Sequence, residues 1–395
     1  MDFFVRLSDN RMTPVLMILD EKLIKSITIT NFDYFRNHQN FINEHIDNFF
    51  SSNLLLFRDD RWRNVRSLFT PAFSSSKMRS MFQLMSETDV NVAKYLSTLP
   101  ANENVVEMKD IFTRYANDVF ATCAFGIVID SLADQKNKFY TLGREALDIH
   151  SVTILKLIVI KIFSGLARFG ITLLNKKVTD FFKQVVSDSI KVREEKGIVR
   201  PDFIQLMMET KAKLVSGKDL TVHDITAPRK TVCRNRLRFG QFTFEISSSR
   251  LEYLDAMINE TLGMYPIIPI TDRECSKSFE LTPVLPGAKP YVMNEGSHLW
   301  LPIYVIQRDP KYFEEPNTFD PHRFLDKKSN LVNSGAYLPF GMDLRNCIVK
   351  RFALMEAKVA LFHIFVRCRL EVCSGTTMPM ELKTRGVFLT AKNGF

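Results

Sequence analysis

Cysteine is sparse and unpatterned in this sequence: Cys123, Cys233, Cys275, Cys347, Cys368 and Cys373 are scattered over 395 residues without a CxxC pair or an even spacing. That excludes a disulfide framework and a zinc-finger type of site, and it points to a reducing compartment. Long apolar runs free of charge are also missing. The most apolar stretch, Val152 to Leu174, is interrupted by Lys156, Lys161 and Arg168. A membrane-spanning helix is excluded there, which leaves an amphipathic segment dipping into a membrane interface or an amphipathic pair of core helices. The chain opens MDFFVRLSDN, with charges at Asp2, Arg6 and Asp9, unlike a secretory signal or an anchor. No internal repeat, low-complexity tract or domain linker is present. Zinc-finger spacing, a heptad after a basic region and a basic aromatic RNA-binding strand are all absent, so nucleic acid is excluded as a partner. The net charge of +9 is then assigned to an acidic partner or an anionic membrane surface.

What is present is apolar bulk. Hydrophobic residues make up 46% of the chain, with 33 Phe and 16 Met, enough for a large core or a pocket for a greasy ligand. The run Pro14 to Leu19 predicts a strand followed by a helix. Apolar residues recur every three or four positions over Lys77 to Leu99, Val106 to Phe125 and Asn175 to Glu195, which predicts helices. At Pro228 the character changes, because Arg229, Lys230, Arg234, Arg236 and Arg238 crowd a short polar island. A helical pattern resumes near Arg250 in LEYLDAMINETL. Pro-rich, strand-like pieces such as HLWLPIYVI follow, and from Ile348 the stretch IVKRFALMEAKVALFHIFVRCRLEV reads as a buried helix.

The segment PFGMDLRNCI, Pro339 to Ile348, stands between the Pro-rich region and that helix. A loop that holds a thiolate beneath a flat porphyrin needs aromatic cover (Phe340), a tight turn (Gly341), a cation (Arg345) and a helix N-terminus just after the sulfur of Cys347. With RFALME following, the order resembles the haem loop of the microsomal cytochrome P-450 superfamily, nearest to insect detoxification members, and the resemblance extends over nearly the whole chain. It implies a mainly α fold with small β-sheets, a single domain over residues 1–395, and heme b (iron protoporphyrin IX) ligated axially by Cys347. RWRNVRSLFTPAF is similar to the haem-edge helix and implies propionate donors Trp62 and Arg66. TDRECSK is similar to the strand whose arginine reaches the other propionate, which implies Arg273, with Ile267 and Ile268 lining the substrate pocket. EEPNTFDPHRFL implies Arg323 as the structural partner of Glu260.

The implied activity is a haem-thiolate monooxygenase that inserts one oxygen atom from O2 into a small lipophilic substrate. Electrons would come from NADPH through NADPH-cytochrome reductase, whose acidic surface Lys350 and Arg351 would face, at the endoplasmic reticulum membrane. Departures from the family pattern set against this an inactive or mis-spliced remnant with weak or no haem binding. The anchor helix and its hinge are not seen, so attachment would rest on peripheral contact by Val152 to Leu174. Glu-x-x-Arg becomes Glu260-Thr261-Leu262-Gly263. Loss of that arginine predicts an underpaired Glu260, at about 3 to 5 kcal/mol if buried. Two loop glycines are Asp343, predicted to keep a left-handed backbone and to raise the Cys347 pKa, and Val349, predicted to overpack. The central haem-crossing helix begins at Asp224 to Ala227 and stops at Pro228, with a junction or insert at about 228–249. Thr226 lies too early to be its oxygen-activating alcohol, so no catalytic residue is assigned.

Overall fold

The computed structural model of the chain describes residues 4–8, 14–39, 51–100, 102, 104–147, 174–215, 251–281, 289–326, 331–378, 380–383 and 388–392. The expectations for the Val152 to Leu174 surface (Leu174 apart), the helix start at Asp224 and the junction at 228–249 lie outside the described residues.

Strands β1 (Phe4–Ser8) and β2 (Pro14–Ile18) pair antiparallel. Helix α1 (Glu21–Lys25) follows, and the Asp20 carboxylate accepts from the N–H groups of Lys22 and Leu23 at its start, which satisfies two otherwise orphaned donors. Then come α2 (Asp59–Phe69), α3 (Ser75–Thr98), α4 (Met108–Phe120), α5 (Lys138–Leu147), α6 (Lys176–Lys196) and α7 (Phe203–Val215). The three- and four-residue apolar spacing thus matches α3, α4 and α6. The second half holds α8 (Glu252–Met264), β3 (Thr271–Glu274), β4 (Phe279–Leu281), β5 (Tyr291–Met293), β6 (His298–Leu301), α9 (Ile303–Ile306) and α10 (Lys350–Arg367). HLWLPIYVI, expected as one strand-like piece, is split. Pro302 cannot donate to the ladder, so β6 ends there and the chain turns into α9.

One sheet runs β1-β2-β6-β3, with β2 and β6 parallel and β3 antiparallel to β6, and β4 and β5 form a separate hairpin. The register sets Arg273 opposite Leu299. Leu16, Ile18, Ile24, Leu299, Leu301 and Leu338 form the core on this side. A second core joins Met78, Met81 and Met85 of α3 to Ile111, Tyr115 and Val119 of α4 and Met355 and Val359 of α10. So α10 is buried by lying along α3 and against α8.

Beyond α4 the chain makes a π-turn, Ala121–Phe125, ended by Gly126 at φ +71°. Arg193 of α6 forks onto Asp202 at 2.6 and 2.7 Å and also donates to the Phe125 carbonyl at 3.1 Å. The junction between α6 and α7 is thereby pinned to the end of α4.

Candidate cofactor site

The loop into α10 is shaped by two left-handed residues, Gly341 at φ +69° and Asp343 at φ +61°. Asp is among the few non-glycine types that tolerate this region, so the expected backbone persists despite the loss of glycine. The Cys347 N–H donates to the Phe340 carbonyl at 2.8 Å, and the Asn346 N–H donates to the Asp343 carbonyl at 3.0 Å. The half-buried sulfur is therefore delivered to the entrance of α10. Burial pushes the Cys347 thiol up, while the Val349 and Lys350 N–H groups and the charges of Arg66 and Lys350 pull against it. The cations that act most on the sulfur are thus Arg66 and Lys350, and the expected Arg345 is not among them. Asp343 acts on Arg273 and does not figure among the main influences on the thiol.

Around the loop the structure gathers cations from distant parts of the chain. Trp62 is buried one turn before Arg66 on α2, and the Arg345 guanidinium stacks 4.1 Å from the Trp62 ring centroid. Arg66 grips Asn346, donating to its carbonyl at 2.8 Å and to its Oδ1 at 2.7 Å. Arg345 donates to the carbonyls of Arg36 and Phe57, each at 2.8 Å. Its two 2.8 Å hydrogen bonds go to backbone carbonyls. Arg58 forks onto Glu274. Arg273 is different. It is 2% exposed, its Nη1 donates to the Asp272 carbonyl at 2.7 Å, and its buried Nε has no hydrogen-bond partner. His38, with Nδ1 3.1 Å from Asp272 Oδ1, and the Gln39 N–H both engage the Asp272 carboxylate. Burial would raise that acid, but these bonds, with the Arg273 charge, hold it below the usual range.

A profile described as Cytochrome P450 matches residues 5–232 and 239–395. The chain belongs to the cytochrome P450 family. It is 34% identical over 447 residues to Cytochrome P450 9e2 of Blattella germanica, covering 97% of this chain and 83% of the relative. It is 35% identical over 433 residues to Probable cytochrome P450 9f2 of Drosophila melanogaster, again covering 97% and 83%. Cytochrome P450 9b2 of the same fly is 31% identical over 430 residues, covering 98% and 84%. Membership makes the chain a monooxygenase by family and implies a haem with a cysteine thiolate ligand.

The residues present fit such a group. Burial and the guanidiniums of Arg273, Arg66 and Arg58 push Arg345 down to about 9, with Asp272 as the chief carboxylate opposing them. A buried cluster short of negative charge, with one orphaned guanidinium N–H, is matched by a ligand that carries two carboxylates. In this P450 the other predicted residues divide. Glu260, 3% exposed, accepts from Arg323 Nε at 3.2 Å and from the Asp320 N–H at 2.9 Å. The predicted underpairing at Glu260 is thus absent, because Arg323 and a backbone donor suffice. Ile267 and Ile268 are 55% and 44% exposed and do not line the apolar cavity found among the described residues. Val349 does line that cavity and is 36% exposed.

That cavity measures about 1380 Å³ and is walled by α3, α4 with its π-turn, α6, α7 and the start of α10. Cys347, Phe340, Trp62, Arg66, Arg273 and Arg345 are not among its walls. His38, Asp272 and Asn346 carry site contacts that the sequence reading did not assign. Asp272 adjoins Arg273 and Asn346 adjoins Cys347, which was the available signal; His38, 234 positions from Asp272, had none.

Proposed function

We propose that Cys347 is the axial thiolate of a heme b in a monooxygenase acting on a small lipophilic substrate. The observation that carries this reading is the closed loop in which the Cys347 N–H meets the Phe340 carbonyl at 2.8 Å at the mouth of α10. When bound, the haem supplies the activation of O2 from which one oxygen atom enters the substrate. Arg273 offers its unpaired Nε to one propionate. Arg66 and Arg345 add positive potential, with Arg66 fixing Asn346 beside the ligand and Arg345 bracing the segment around Phe57. Trp62 and Phe340 give aromatic cover to the loop. The Val349 and Lys350 amides favour the ionised sulfur. Glu260 and Arg323 hold the region after α9 in place and do no chemistry.

The electron source in this reading is NADPH through a flavoprotein reductase, which docks at the basic surface near Lys350 and Arg351. The site of action is the cytoplasmic face of the endoplasmic reticulum. No helix among the described residues is long and apolar enough to cross a membrane. Reconstitution with haem, reduction and exposure to carbon monoxide tests the ligand: the red-shifted Soret band of thiolate ligation is expected, and Cys347→Ser should abolish it. A band typical of a histidine or neutral ligand in the unaltered chain removes Cys347 from its role. NADPH-driven product formation with added reductase tests turnover separately.

A further inference from the structure

Residues 36–39 are tied down one after another beside the arginine cluster. The Arg36 carbonyl accepts from Arg345 Nε at 2.8 Å, the Asn37 carbonyl from the Glu274 N–H at 2.8 Å and the His38 carbonyl from Arg58 Nη1 at 3.1 Å, while the Gln39 N–H donates to the Asp272 carboxylate. The backbone on both sides of His38 is thus fixed, and its ring, 8% exposed, is held against two residues of β3. Nδ1 lies 3.1 Å from Asp272 Oδ1 and 3.5 Å from Arg273 Nη1. The carboxylate only accepts and the guanidinium only donates, so one ring nitrogen cannot serve both. It needs a proton to bond Asp272 and a lone pair to bond Arg273. The proton on His38 therefore decides which of the two neighbours it supports.

The charges around the ring come from several segments. Strand β3 supplies Asp272 and Arg273, and the loop before α10 supplies Arg345. Arg58, just before α2, reaches the His38 carbonyl and is itself matched by Glu274, and Asp343 acts on Arg273. Burial above all, and then the charges of Arg273 and Arg345, hold the imidazole below its usual 6.5, with the Asp272 carboxylate opposing them. The ring is thus neutral near pH 7 while the cluster is short of negative charge. Carboxylates entering beside the unpaired Nε of Arg273 change that balance, because they cancel positive charge that opposes protonation of His38. We propose that His38 is a positioning residue of the cofactor site, which orients Asp272 and Arg273 and takes up a proton when the two carboxylates of the haem enter the cluster. This role presupposes the haem assignment proposed above and adds a reciprocal linkage, in which a proton on His38 tightens the hold on those carboxylates.

Proton uptake on binding fixes the sign. His38 strengthens haem retention below the pH at which it titrates in the loaded protein and adds nothing above it. The full chain, reconstituted with haem and mixed with excess acceptor apoprotein, gives the rate of haem transfer across about pH 6 to 8, where histidines titrate. His38→Gln keeps a neutral donor for Asp272 but cannot take up a proton. It should lose haem roughly tenfold faster than the unaltered chain near pH 6, the factor that goes with a displacement of one pH unit in a titration, and at about the same rate near pH 8. A ratio of rates that is the same at every pH overturns the proposal, because His38 would then serve packing alone. A second measurement needs no substitution. With a pH indicator in weak buffer near pH 7, the unaltered chain should take up more protons on adding haem than on adding haem dimethyl ester, which has no carboxylates. Equal uptake overturns the proposal whether or not the variant folds. The carbon monoxide band keeps the two assignments apart. A thiolate band with a flat ratio removes the role of His38 and keeps Cys347, and a neutral-ligand band with the pH-dependent ratio intact removes Cys347 and keeps His38.

Discussion

At the residue scale the site is built on imbalance. Arg273 is a fully buried guanidinium whose Nε has no partner, and such a group is a burden on the fold until an anion meets it. Arg273→Met should therefore loosen haem retention, speeding transfer of haem to an acceptor apoprotein. A variant that is less stable and holds haem as tightly as before would show that Arg273 is a structural residue only. Gly263 makes a smaller case. A Cβ added there would meet Tyr337 Cε2 at 3.8 Å and Glu260 Oε2 at 3.9 Å, ordinary contacts inside a helix. Gly263→Ala should raise stability by about 1 kcal/mol in urea denaturation; a drop would mean that α8 needs the glycine. Glu356 on α10 carries the pH signal. Burial pushes its carboxyl up from 4.5 to about 8, so the folded chain keeps a proton that the unfolded chain releases. That stability is complete below the unfolded pKa and is lost as pH rises toward about 8. His363, lowered from 6.5 to about 4 by burial, works the opposite way below pH 6.5, so the clean window is pH 6.5 to 8. Glu356→Gln should flatten the fall in melting temperature across it, and an unchanged slope would exonerate Glu356.

At the scale of elements, ion pairs and caps decide where helices stop and what they touch. Gly126 is confined twice over, since φ is +71° and an added Cβ would lie 2.4 Å from Arg193 Nη2. The Arg193 and Asp202 pair beside it is buried, with both side chains nearly closed to solvent. Asp202→Asn strips the pair of its charge and leaves Arg193 uncompensated, at an expected 3 to 5 kcal/mol in chemical denaturation. A loss under 1 kcal/mol would mean that solvent reaches the arginine. The helices α3, α4 and α6 were legible because each displays its own periodicity, and the haem loop was legible because its parts are contiguous from Phe340 to Cys347. The break between β6 and α9 was signalled by Pro302 but hidden in an apolar run. Contacts such as His38 with Asp272 or Arg345 with the Phe57 carbonyl join segments by topology, and neither partner bears a local mark of it. Ile267 and Ile268 meet the same limit. Their position after α8 is fixed by sequence, but which surface they meet depends on elements that flank them only in three dimensions.

At the scale of the whole molecule, two cores of unequal completeness share one chain. The sheet-side core closes around Leu299, Leu301, Ile18 and Leu338, all at most 1% exposed. The helical core borders an apolar cavity on one side, so the helices that face it have fewer packing contacts there. Local stability follows packing, so amides facing the hollow should open by smaller free energies than those in the completed core. In native-state hydrogen exchange the amides of α7, at Met207 and Met208, should exchange well before those of β6, at Leu299 and Leu301, although both belong to regular hydrogen-bonded elements. Ala124→Trp should narrow the gap by slowing α7 without changing β6, because it returns contacts to the hollow alone. Equal protection in α7 and β6 would mean that the pinning of α7 by Arg193 and Asp202 outweighs the missing contacts, and the bundle would then be complete in energy if not in volume.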